Sequence, residues 1–252
     1  MRPFDPFFAA LSTYSVLPVP RVAWTERVTR TAIWYLPAVG LVLGGALAGW
    51  FALCRALGCG GLLFAAAAAA LPLLLTGGIH MDGYMDTVDA LSSHRDRETM
   101  LKILKDPHCG AFAVLWCGVY LLLQAGLFSE LYARATLWVL CPGYVLSRAL
   151  SVLCALALPK ARREGMLSAF AGNADRRGVA VAVGVAVLAW AGMLLLSLLP
   201  GLCAGALALV WLLLYRTLAL RQFGGVTGDT AGLFLQVCEL VLLLGSWIGD
   251  LL

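Results

Sequence analysis

Charge is what this 252-residue chain has least of: 13% of its residues are Asp, Glu, Lys or Arg, against 62% hydrophobic ones. With a mean hydropathy of +0.89, that composition excludes an ordinary water-soluble domain and falls among polytopic membrane proteins. Histidine is scarce, with three residues at no zinc-ligand spacing, and the eight cysteines form no Cys-x-x-Cys pair. Most thiols therefore read as packing groups, with Cys54 and Cys59 a candidate pair in a hairpin. Long polar segments are also missing. The two longest, 77–110 and 159–178, are too short to fold alone, so residues 1–252 read as a single helical membrane domain.

Hydrophobic runs are what the chain has in abundance. Stretches of about 20 residues able to cross a bilayer as helices lie near Thr31–Cys54, Leu57–Leu75, Ala111–Phe128, Ala135–Leu158, Val179–Leu199, Leu202–Leu220 and Ala231–Ile248. The expected fold is all-α, with about seven transmembrane helices, six to eight being the range, and a tight turn at Pro200-Gly201. Lys and Arg accumulate in short cytoplasmic loops. All 18 here fall on one side of the predicted membrane except Arg55, Arg134 and the intramembrane Arg148. The N-terminus is then cytoplasmic, the C-terminus outside, and the active site at the cytoplasmic face. That topology accounts for the net charge of +4, so no nucleic-acid partner is indicated.

Within residues 1–30, four prolines among the first twenty break up any long apolar helix, which argues against a signal peptide. An interfacial segment, with its aromatics at headgroup depth, fits better. The segments 77–110 and 159–178 are expected to lie over the cytoplasmic mouth and carry site residues.

Against this background the run from Gly77 to Asp89 stands out, because it places Asp82, Asp86 and Asp89 within eight residues. On a helix the spacing i, i+4, i+7 keeps them on one face, inside an arc of roughly 60°. Three bare anions there repel one another; a hard divalent cation such as Mg²⁺, held by carboxylates and substrate phosphates, turns repulsion into binding. A solvated acidic helix start is the other reading. A counterpart occurs late in the chain, where Gly224-Gly225 precedes Asp229 at the same spacing as Gly77-Gly78 precedes Asp82. Glycines permit a turn or a close backbone approach, and a following helix start offers free N–H groups to phosphate. Two acidic arms converging on one site are the expectation. Arg148 and Glu239 sit near mid-membrane, where each costs about 2.5–3.5 kcal/mol. They are read either as a structural pair or as a phosphate ligand and a support for the metal site.

The motifs in order resemble the cobalamin synthase family, the adenosylcobinamide-GDP ribazoletransferases, over nearly the full length. They are Leu17 to Pro20, Thr76 to Asp89, Asp106 to Phe112, Ser147-Arg148, Arg162 to Met166, and Gly224 to Thr230. The resemblance implies attack by a hydroxyl of α-ribazole or its 5′-phosphate on the β-phosphorus of adenosylcobinamide-GDP, with GMP leaving. It implies Mg²⁺ as cofactor, with Asp82, Asp86, Asp89 and Asp229 as metal ligands. Asp82, Asp86, Asp89 and His80 are the catalytic candidates, Asp89 as ligand or base and His80 in phosphate binding or proton transfer. Substrate contacts are expected at Lys102, Lys105, Asp106, Arg148, Arg162, Thr227, Gly228 and Glu239, with Arg163 beside Arg162. The partners are the two substrates and the lipid bilayer, in the inner membrane; self-association is left open.

Three positions depart from the family's pattern: Ala90 where glycine is common, Cys109-Gly110-Ala111 for Leu-Gly-Thr, and Gln236 where glutamate is frequent. Two other classes remain alternatives. A CDP-alcohol-type lipid phosphotransferase would use the same metal logic on a lipid acceptor. A cation or proton transporter would need acids at the membrane midplane.

Overall fold

In hydrocarbon a backbone must satisfy its own N–H and C=O groups, and apolar runs of this length do so as helices. The computed structural model describes residues 4–162, 165–171 and 175–252. Arg2, Arg163 and Glu164, which entered the sequence reading, lie outside the described residues. The chain forms α1 (Asp5–Tyr14), α2 (Glu26–Ala32), α3 (Leu36–Leu57), α4 (Gly61–Thr76), α5 (Ile79–Ser92) and α6 (Arg97–Ile103). There follow α7 (Ala111–Leu131), α8 (Leu140–Ala157), α9 (Met166–Phe170), α10 (Arg176–Leu196), α11 (Leu198–Leu218) and α12 (Gly228–Leu251). Among the described residues there is no strand; Lys160 and Val226 alone form a bridge.

Six helical segments are long and apolar enough to cross a membrane: α2–α3, α7, α8 with its preceding 3₁₀ turn, α10, α11 and α12. The seventh expected crossing falls on α4, which joins α5 through a bend of 97°. We read α4 as the crossing and α5 as lying across the end of the bundle. The break between α10 and α11 lies at Ser197 rather than at Pro200-Gly201. Pro200 sits inside the first turn of α11, where a missing N–H leaves no helical bond unmade.

Adjacent spans alternate in direction, so the connections gather at two ends. At the end carrying Asp82, Val16 N–H donates to Leu75 O (2.9 Å), Val226 N–H to Pro159 O (2.8 Å) and Ala161 N–H to Val226 O (3.1 Å). At the opposite end Tyr132 donates to Cys59 O (3.0 Å), and Arg134 pairs with Asp250. Without a hydrophobic drive between helices in lipid, close approach depends on small residues. A Cβ at Gly40 of α3 would come within 2.5 Å of Tyr144 O on α8, and one at Gly245 of α12 within 2.5 Å of Ala204 Cα on α11.

Helices α8 and α12 are enclosed by neighbours, and only such helices can carry charge at this depth. Arg148 is wholly buried and pairs with Glu239. Its guanidinium also donates to Ser147 Oγ (2.8 Å) and lies 5.3 Å from the Tyr144 ring centroid. The two residues thus make the ion pair that one of the two readings expected. The helix α1, expected at the membrane surface, packs onto the bundle through Ala9, Ala10, Leu11 and Tyr14.

Arg148→Met is expected to lower stability by about 3–5 kcal/mol, because it strands a buried carboxylate. The double variant Arg148→Met/Glu239→Leu should recover most of that loss. Thermal midpoints and folded yield in detergent check both.

Candidate active site

Two glycine turns of similar design set up the site. Gly77 and Gly78 take left-handed conformations (φ 63° and 76°) that stop α4, and the chain turns into α5. Gly224 does the same after α11 (φ 75°), and the next residue, Gly225, passes so near Pro159 O that a Cβ would lie 2.4 Å from it. Thr227 then caps α12. Its hydroxyl accepts from Thr230 N–H (3.1 Å) while its own N–H donates to Thr230 Oγ1 (2.9 Å). Each arm ends in a helix start with an aspartate in its first turn, Asp82 on α5 and Asp229 on α12.

These starts cross in near contact. A Cβ at Gly83 would meet Asp229 Cα at 2.9 Å, and one at Gly232 would meet His80 O at 2.7 Å. Only glycine on both helices allows it. The crossing brings Asp82 and Asp229 to one cavity of about 150 Å³, whose wall also includes Tyr14, His80 and Ser151. Asp229 is shared with a neighbouring cavity of about 220 Å³ lined by Arg162, Ser168, Thr227 and Gly228. One helical turn deeper, three residues from Ser151 on α8 and four from Leu235 on α12, Arg148 and Glu239 pair beneath the cavity without lining it.

The carboxylates differ in environment. Burial, then the charges of Asp82, Asp229 and Asp89, push Asp86 up to about 6, which shows how closely the acids crowd. Asp89 turns away to the start of α7, where its oxygens accept from Gly110 N–H (2.6 Å) and Ala113 N–H (2.8 Å). Burial, with Arg148 nearby, holds His80 neutral and pushes it down to about 3. Its ring stacks on Tyr14 at 6.0 Å.

Among the described residues no three His, Cys, Asp or Glu side chains are already gathered into a metal cage. Mg²⁺ seldom uses one: it keeps waters and binds through one or two carboxylates plus substrate phosphates. Asp82 and Asp229 beside open space, with Asp86 repelled by both, fit that mode.

Other expected residues are placed differently. Arg162 borders the polar cavity, bonds Leu101 O and lies near enough to act on the charge of Asp229. Thr227 and Gly228 also border it, Thr227 with its hydroxyl engaged as a cap. Lys102 pairs with Glu98 in solvent (2.7 Å). Asp106 holds its own exposed turn through His108 N–H (3.0 Å), and Lys105 is exposed. None of these three lines either cavity. Arg148 and Glu239 pair with each other beneath the first cavity and line neither it nor the polar one. The sequence reading missed Tyr14, Gly83, Ser151 and Gly232. Gly83 carried a signal in directly following Asp82, and Ser151 one in standing a helical turn from Arg148.

A family model described as cobalamin-5-phosphate synthase matches residues 6–247. The chain is 40% identical over 242 residues to an adenosylcobinamide-GDP ribazoletransferase of Lachnoclostridium phytofermentans, covering 96% of this chain and 92% of that one. It is 38% identical to the protein of that name from Desulfitobacterium hafniense (92% and 91% covered) and 34% identical to that of Escherichia coli (94% and 97%). No solved structure matches the chain. With the match running through both acidic arms and nearly the whole helical bundle, this chain belongs to the cobalamin-5-phosphate synthase family.

Proposed function

We propose that the protein transfers the adenosylcobinamide phosphate of adenosylcobinamide-GDP to a hydroxyl of α-ribazole or its 5′-phosphate. GMP is released, and the reaction depends on Mg²⁺ at the cytoplasmic face of the inner membrane. The observation that carries this reading is the crossing of two acid-bearing helix starts over one cavity. The names of the similar proteins supply the substrates, and the one-sided distribution of Lys and Arg supplies the orientation.

The chain's own groups have separable tasks. Asp82, Asp86 and Asp229 would hold Mg²⁺, which when bound neutralises diphosphate charge and stabilises the departing GMP. The positive ends of α5 and α12 and the guanidinium of Arg162 draw the diphosphate to the mouth. Catalysis is then chiefly positioning and charge stabilisation. The acceptor oxygen bonds to phosphorus as the bond to GMP breaks, and its proton passes to a carboxylate at the mouth, where Asp82 is exposed. His80, held neutral with its basicity suppressed, is a hydrogen-bonding group instead. Asp89 keeps the start of α7 beside the site.

Glu239 argues against a transporter, because this mid-span acid is ion-paired with Arg148. A lipid phosphotransferase is separated by its acceptor, diacylglycerol or inositol in place of ribazole.

With both substrates and Mg²⁺, the detergent-purified protein should release GMP. EDTA should abolish the release and Asp82→Asn lower it by about 10²-fold or more, the order lost with one charge-stabilising group. No release from well-folded protein sinks the reading. Because burial and the neighbouring carboxylates push Asp86 up to about 6, protons compete with Mg²⁺ below that pH. The Mg²⁺ concentration for half-maximal rate should rise as pH falls from 7 to 5, at most about tenfold per unit for one competing proton. Asp86→Asn should flatten that dependence.

A further inference from the structure

Phosphoryl transfer needs a charged mouth, yet the cavity behind Asp82 and Asp229 continues inward between α1, α3, α5, α8 and α12. Its mouth is polar and exposed. Much of its wall is apolar, with Leu36, Val152, Ala155 and Leu235. Two polar side chains interrupt that apolar wall. Ser151 is 3% exposed and makes no hydrogen bond with any described residue, and His80 is 5% exposed with Nε2 unpartnered. Buried polar groups normally have partners, so the bare Nε2 of His80, with the Ser151 hydroxyl on the same wall, points to a ligand that supplies one.

We propose that this apolar part of the cavity is the subsite for the flat heteroaromatic base of the acceptor nucleoside, a fused, largely apolar bicycle carrying ring nitrogens. The proposal rests on the transfer reading above and names where one reactant sits. The base enters edge first, its apolar rim against Val152, Ala155 and Leu235 and its face along the Tyr14 ring, with one of Ser151 and His80 donating to its single free ring nitrogen. The sugar is left at the mouth, so its hydroxyl lies beside Asp82 and Asp229, where the diphosphate arrives. Size decides among the reactants. A cavity of about 150 Å³ in another protein's core holds one benzene ring; this one, open at its acid end, extends to a fused pair and excludes a corrin ring. Polarity decides against guanine, whose rim carries hydrogen-bonding groups on most sides and would leave several unpaired against this wall. The guanine side of the donor is thereby directed to the polar cavity lined by Arg162, Ser168 and Thr227.

The test uses the full-length protein in detergent with benzimidazole alone as probe. Calorimetry should show saturable benzimidazole binding that guanosine does not displace, and Ala155→Leu should abolish it. In steady state Ala155→Leu should raise KM for α-ribazole 5′-phosphate by at least about tenfold, the scale of filling an apolar pocket, with KM for adenosylcobinamide-GDP changed less than about twofold. Should Ala155→Leu fail to fold, Ser151→Ala provides the same split in smaller measure. In wild type, benzimidazole should inhibit competitively against the acceptor and not against the donor. No binding to wild type, equal binding to folded Ala155→Leu, or a raised donor KM overturns the subsite. Benzimidazole binding that Ala155→Leu removes, without GMP release from wild type, leaves the base site standing and counts against the transfer reading.

Discussion

The contact between Gly83 and Gly232 is the constraint on which the site depends. Two helix starts, each with an aspartate in its first turn, cannot meet this closely if either presents a side chain at the crossing. Repulsion between their carboxylates opposes the approach. It is offset in part by the positive ends of both helices and by the packing of α5 against α7 and α12 through Tyr84, Tyr120 and Leu233. The fold thus holds acids together at a local electrostatic cost, a configuration in which a divalent cation and a polyanion are the natural complement.

Beneath the crossing the arrangement is rigid for a different reason. Arg148 and Glu239 are placed where neither can reach water, so each holds the other and, through them, α8 is tied to α12. Ser151 and Leu235 of the cavity wall lie one turn above on those same helices, next to this tie. A polar tie in a membrane interior also discriminates among packings, because any register that separates the two charges exposes both to hydrocarbon.

Much of this was legible from sequence. The carboxylate spacing and the matching Gly-Gly turns before Asp82 and Asp229 gave the two arms, since both signals are local and survive folding unchanged. The apolar runs gave the spans for the same reason. What sequence could not show depends on partners far along the chain. Asp89 shares a face with Asp82 and Asp86, yet Gly110 and Ala113 claim it. Tyr14 reads as an interfacial aromatic until α1 is seen packed into the bundle. Ser151 is one small residue in an apolar helix, given meaning by what stands opposite. The alternatives for Arg148 and Glu239 could be separated only by seeing α8 beside α12.

The sharp bend between α4 and α5 has a further consequence for the lipid around the protein. With 16 residues, α4 covers about 24 Å at 1.5 Å per residue, short of the roughly 30 Å of a bilayer's hydrocarbon. A span this short favours local thinning of the bilayer beside it, which would draw the headgroup plane toward Gly77 and Gly78. The aqueous phase would then dip toward the aspartates of α5, so that a large water-soluble molecule could reach them without entering the oily layer.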